Sequence, residues 1–96
     1  MAQPIFEWDE RKNAANQRKH GVSFHQAQGA FLDPRRVVAR DMAHTGQEER
    51  LYCFGKVAGG ILTVRYTIRK GRIRIIGAGF WRKGRKAYEQ ANKIHG

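Results

Sequence analysis

The chain has 96 residues, with 19 Lys or Arg against 8 Asp or Glu and a formal net charge of +11. That length predicts a single domain spanning residues 1–96 with a modest core, and no apolar run approaches the roughly 20 residues of a membrane span. The single cysteine, Cys53, excludes an internal disulfide, and Met1-Ala2-Gln3-Pro4 lacks the features of a signal peptide, so a reducing cytoplasm is the expected setting.

In chain order, Ile5-Phe6-Glu7-Trp8 reads as a short apolar-polar lead compatible with an edge strand. Asp9 can cap a helix reaching Arg18 or Lys19, with Gly21 as a left-handed stop. That helix offers only Ala14 and Ala15 for packing. A second helix starts at Ser23, where Gln26 completes a capping box, and buries Phe24, Ala27 and Phe31 before Asp33-Pro34 ends it. Arg35–Arg40 is the first strand expected in the main sheet; the polar segment from Asp41 to Glu49 is a loop, and Arg50–Val57 is the next strand. The turn Ala58-Gly59-Gly60 leads into Ile61–Arg69, where Leu62, Val64, Tyr66 and Ile68 alternate with Thr63, Arg65, Thr67 and Arg69. Such alternation marks a half-buried strand. Lys70-Gly71 makes a two-residue turn, Arg72–Phe80 continues the alternation with Gly77 and Gly79 as a bulge or close approach, and Lys83–His95 is a short basic helix. The expected architecture is α+β: two N-terminal helices, an antiparallel four-stranded meander and a short C-terminal helix.

The charge is unevenly placed. Residues 1–48 hold seven basic against six acidic side chains, and residues 49–96 twelve against two. Across a two-residue hairpin Arg69 faces Arg72 and Thr67 faces Arg74, so Arg65, Arg69, Arg72 and Arg74 share one face. Like charges opposed on a sheet destabilise it, and a polyanion would relieve them. If Val57 pairs with Leu62, Arg50, Tyr52 and Phe54 join that face. Arginines beside aromatic rings suit single-stranded RNA, charges on phosphates and rings on bases; a one-residue slip would bury both rings instead. A merely solvated, anti-aggregation face is the alternative, although Ile61–Phe80 contains no acid to mix the signs. Acid–base candidates are Glu48, Glu49, His44, Tyr66, Lys83 and Tyr88. No metal-ligand set is visible: His20 and His25 lack partners at ligand spacing, and no cofactor is implied.

Phe6-Glu7-Trp8-Asp9, Lys12-Asn13-Ala14-Ala15-Asn16, Lys19-His20-Gly21-Val22-Ser23-Phe24, Phe31-Leu32-Asp33-Pro34, Glu48-Glu49-Arg50, Tyr66-Thr67, Arg74-Ile75-Ile76 and Tyr88-Glu89 occur in that order. This series resembles the BrnT toxins over roughly residues 5–90. The resemblance implies a type II toxin with a RelE-like ribonuclease fold, mRNA cleavage, and a cognate antitoxin, BrnA, that also binds operator DNA, with which the toxin autoregulates. On that basis Arg65 and Arg74, assisted by Arg50, are expected to clamp phosphate, with Glu49 as base and Lys83 as acid or charge partner. Arg69, Arg72, Arg82, Tyr52 and Phe54 would hold the RNA. The chain departs from the family pattern at Gly79, where an arginine is expected, and at Gly84, near an expected glutamate, and it also has Gly77. A catalytically weak or silent nucleic-acid-binding or co-repressor module is therefore the alternative function.

Overall fold

The computed structural model describes residues 4–43 and 48–93. β1 (Phe6–Trp8) leads into α1 (Glu10–His20), then α2 (Phe24–Ala27), which runs on as a 3₁₀ turn over Gln28–Leu32. β2 (Val37–Arg40), β3 (Arg50–Val57), β4 (Gly60–Arg69) and β5 (Arg72–Gly79) follow, and α3 (Arg82–Ala91) closes the order. The strands form one sheet in the order β1-β5-β4-β3-β2. Every pair is antiparallel except β1–β5, which is parallel.

The expected four-stranded antiparallel meander is therefore corrected to a five-stranded mixed sheet within an α+β fold. Three residues give β1 no readable period, and its partner β5 lies more than 60 residues along the chain. The second N-terminal helix is also shorter than expected: one α turn, capped by Ser23 Oγ accepting from the Gln26 N–H at 3.0 Å, then 3₁₀ geometry. The start and stop of α1 agree with the sequence. Asp9 Oδ1 accepts from the Arg11 N–H at 2.8 Å, and Gly21 takes φ +68°.

Turn chemistry sets the registers. Lys70 and Gly71 both have positive φ, as do Ala58 and Gly59, the signature of tight hairpin turns that match strand twist. Arg69 opposes Arg72 and Thr67 opposes Arg74. At the other hairpin Val57 opposes Gly60 rather than Leu62, so Tyr52 faces Arg65 and Cys53 faces Val64. This two-residue shift leaves each side chain on its expected side of the sheet, because side-chain direction repeats every second residue. Ile76 is the extra residue of a bulge, after which Gly77 opposes Arg65 and Gly79 opposes Thr63.

One sheet face carries the core. Val22, Phe24, Ala27 and Ala30 bury Cys53, Leu62, Val64, Tyr66, Ile75 and Ala78, with Phe6, Trp8 and Phe31 packed at the margin. Phe31 meets Phe6 and Tyr66 edge-on at centroid distances of 5.3 and 5.0 Å. The 3₁₀ turn rides so close on β3 that a Cβ at Gly55 would overlap the Ala30 backbone. Burial pushes the Cys53 thiol up to about 12, which leaves it a core group rather than a nucleophile.

The docking of α1 differs from the alanine contact expected. Its buried residues are Asn13 and Asn16. Asn13 Oδ1 accepts from the Phe24 N–H at 2.9 Å. Asn16 Nδ2 donates to the carbonyls of Val22 and Ala78, each at 2.9 Å, while Oδ1 accepts from the Ala78 N–H at 3.1 Å. β1 pairs with β5 only as far as Ile75, so the Asn16 amide continues the strand edge where β1 stops. Asn16→Ala would strand buried backbone groups at Ala78, and each unsatisfied group costs about 1–3 kcal/mol. Urea unfolding should show a loss of at least about 2 kcal/mol, against little change for Ala14→Ser on the exposed side of the helix.

Candidate nucleic-acid interface

The face opposite the core is built in rows across the strands, about 7 Å apart along them. Phe54, Thr63 and Gly79 make one row; Ala39, Tyr52, Arg65 and Gly77 the next; Arg50, Thr67, Arg74 and Glu7 the third; Arg69 and Arg72 the last. The hairpin arginines thus share a surface with Arg50 and with the rings of Tyr52 and Phe54, which lie nearly parallel with centroids 5.9 Å apart.

α3 crosses the Phe54–Thr63 end. A Cβ at Gly84 would overlap Thr63 Oγ1 and crowd the Phe54 ring, so the glycine permits the approach. One turn on, the buried Tyr88 donates its hydroxyl to Asp33 Oδ2 at 2.7 Å. The same carboxylate accepts from the backbone N–H groups of Lys56 and Arg35, both at 2.8 Å. Burial opposes ionisation of Asp33, but these hydrogen bonds outweigh it and hold the carboxyl below its ordinary range. Tyr88, an acid–base candidate on sequence, is thereby a brace for α3.

Before α3, the Trp81 indole lies over Gly79, where a Cβ would collide with the ring, and meets His20 edge-on at 5.2 Å. Between this indole and the β3 rings opens a cleft of about 540 Å³ that includes Tyr52, Phe54, Thr63, Arg65, Trp81 and Lys83 in its lining. Burial first, then Asp41, raises the Tyr52 pKa, so its hydroxyl stays protonated at neutral pH.

Two carboxylates pair with arginines on the face, and a third, the buried Asp41, lies beside Tyr52. Glu7, delivered by the parallel pairing of β1, lies 2.9 Å from Arg74 Nη1 and 3.6 Å from Arg72. Glu48 receives both Nε and Nη2 of Arg69, at 2.6 and 2.8 Å. Each carboxyl is held below its usual range, Glu7 chiefly by Arg74 and Glu48 chiefly by Arg69. Glu49 goes elsewhere: it pairs with Arg40 at 2.7 Å, and Arg40 opposes Leu51, on the core side of the sheet. Residue parity carried that signal, since Glu48 falls in phase with Arg50 and Tyr52. Glu7 was legible only to a reading that placed β1 beside β5.

Among the described residues, Arg50 and Arg65 form no ion pair, and Arg65 Nε is buried without a hydrogen-bond partner. Lys83 lines the cleft and Arg82 is exposed at the start of α3. Tyr66 is core, its hydroxyl pushed up to about 12 by burial. His25 packs on Trp8, and His44 lies outside the described residues. No group of three His, Cys, Asp or Glu side chains stands at metal-binding distance among the described residues.

Residues 8–84 match the family model described as the ribonuclease toxin, BrnT, of type II toxin–antitoxin systems. The chain belongs to the BrnT family. The matched span runs from the end of β1 to the Gly84 contact and takes in every arginine of the sheet face. No curated protein sequence matches the chain. Membership of a type II toxin family implies an antitoxin partner. No helix among the described residues is long and apolar enough to cross a membrane.

Because Glu7 and Glu48 compete with any phosphate for Arg74 and Arg69, removing either charge should tighten anion binding. Glu7→Gln and Glu48→Gln are each expected to raise affinity for single-stranded RNA several-fold at neutral pH, with a steeper salt dependence. Acid should act in the same direction. Both carboxyls have lowered pKa values, so they stay ionised until pH falls below the ordinary carboxylate range, and their protonation then frees the arginines. Fluorescence anisotropy over a salt and pH series checks both effects; unchanged affinity in both variants would show that the acids do not compete.

Proposed function

We propose that this BrnT chain is an endoribonuclease that cleaves mRNA in the cytoplasm without a metal, arrests translation, and is silenced by a cognate BrnA-like antitoxin. The observation carrying the reading is Arg65: a guanidinium with a buried Nε that lacks a hydrogen-bond partner, in no ion pair among the described residues, in a cleft walled by aromatic rings. A buried N–H without an acceptor is costly, and a phosphodiester supplies acceptors to a guanidinium in bidentate form.

In the proposed reaction the 2′-oxygen attacks the adjacent phosphorus while the bond from phosphorus to the 5′-oxygen breaks. A 2′,3′-cyclic phosphate and a 5′-hydroxyl result. Arg65 and Arg50 hold the non-bridging oxygens as charge develops on them, with Arg74 in the next row. Lys83, on the α3 side, gives a proton to the leaving 5′-oxygen. The base is assigned to Glu48, on the far side of Arg50 and Arg74, rather than to Glu49, which pairs with Arg40. Acid and base then flank the phosphate, as in-line displacement requires. A carboxylate held low by Arg69 is a weak base, so the arginine clamp carries most of the rate. Arg69, Arg72 and Arg82 extend the phosphate track, and Tyr52 stacks a base with the buried Phe54 ring packed behind it. The antitoxin is proposed to bring the toxin to operator DNA only as a complex.

A second reading, a silent RNA-binding or co-repressor module, draws on Gly79 and Gly84. Trp81 and Thr63 occupy the space that any side chain there would need, so neither position can contribute the charged group that the resemblance suggests. One experiment separates the two readings. The chain is expressed alone from an inducible promoter, and growth and new 5′ ends of cellular RNA are followed. Growth arrest with new ends is expected, and Arg65→Ala should lower cleavage by on the order of 10²-fold, with Arg74→Ala and Glu48→Gln also slowed. Glu49→Gln should remain active. Normal growth and intact RNA with folded protein present would overturn the enzyme in favour of the binding module.

A further inference from the structure

The cleft beneath α3 is more than a seat for phosphate. Among the described residues two side-chain polar atoms are buried without a partner, Thr63 Oγ1 and Arg65 Nε, and both residues line it. Thr63 Oγ1 faces the bare Cα of Gly84, which leaves Arg65 as the group in need of an acceptor. The remaining walls are largely aromatic. Trp81 stands on the β5 side with its indole over Gly79, and the nearly parallel rings of Tyr52 and the more deeply buried Phe54 stand on the β3 side. β4 forms the floor between them, so the flanking strands are about 9.6 Å apart, twice the inter-strand spacing. Lys83 adds a second cation.

An inorganic anion would satisfy Arg65 and leave those walls unused. A duplex would use its phosphates alone, because its bases are stacked on one another. A single nucleotide uses both, and about 540 Å³ falls within the range of pockets that enclose small ligands, ~300–1,000 Å³. We propose that the cleft takes one unpaired nucleobase of single-stranded RNA, between Trp81 and the Tyr52–Phe54 rings, while its phosphate rests on Arg65. This rests on the reading that the arginine face holds RNA, and it adds a requirement for an unstacked base at one position. Selectivity for single strands then arises in the toxin's own cleft.

The test separates base from phosphate. Fluorescence anisotropy compares the full chain's affinity for 2′-O-methyl tetra-adenylate, whose blocked 2′-oxygen prevents cleavage, with that for an abasic oligomer carrying the same number of phosphates, at one salt concentration. The base-bearing oligomer should bind at least about tenfold tighter, the order expected of a base stacked on an aromatic ring. Trp81→Leu and Tyr52→Leu should each shrink that difference and leave affinity for the abasic oligomer unchanged. Should either variant fail to fold, indole quenching in the unsubstituted chain reads the same contact: AMP should quench in a saturable manner and ribose 5-phosphate should not. Equal affinity for the two oligomers, or equal quenching by the two small molecules, would overturn the base pocket and leave the RNA face standing. Binding of neither oligomer would overturn both, and cleavage in cells is scored independently of either.

Discussion

Repulsion among arginines is the constraint around which this molecule is arranged. Four of them occupy one face of the β4–β5 hairpin, two directly opposed across the turn, and β3 adds a fifth. A sheet tolerates such crowding only where opposite charge is brought in or water screens it. The fold brings in opposite charge from two directions: Glu7 through a parallel strand at one edge, and Glu48 from the residues leading into β3. Both acids serve the turn end of the face. At the α3 end no carboxylate among the described residues pairs with Arg65, so compensation is withheld where a substrate phosphate is proposed to sit.

Glycine governs the other half of the site. At Gly84 a helix comes close enough for its backbone to rest on Thr63, and at Gly79 an indole lies where a side chain would stand. Against the charged groups that the sequence resemblance leads one to expect, these positions are losses. Here they admit α3 and Trp81, and so convert part of a flat charged surface into a cleft with walls. The Asp33–Tyr88 hydrogen bond keeps α3 at the required height.

Much of this was legible in the sequence, and the gaps have physical causes. Alternation over eight to ten residues identified β3, β4 and β5 and the faces of their side chains, and it survived a register error because that error was an even number of residues. β1 is too short for any period, so the sheet was read one strand short and Glu7 was missed along with it. The helix α1 was read as weakly packed because apolar residues were counted, whereas it docks through the amides of Asn13 and Asn16. The arginine face was legible because charge and parity agree. The cleft was not, because it depends on how closely α3 approaches, and no periodicity encodes that distance.

The pairing of Glu7 with Arg74 has a consequence for how the protein is made. It joins residues 67 positions apart, and closing so long a loop cannot precede synthesis of the second partner. A chain emerging from the ribosome holds β1 unpaired until β5 has followed it. α3, which roofs the cleft, is made later still. The basic face, its acidic counterweight and the cleft therefore come into being together, only once α3 has followed β5 out of the ribosome.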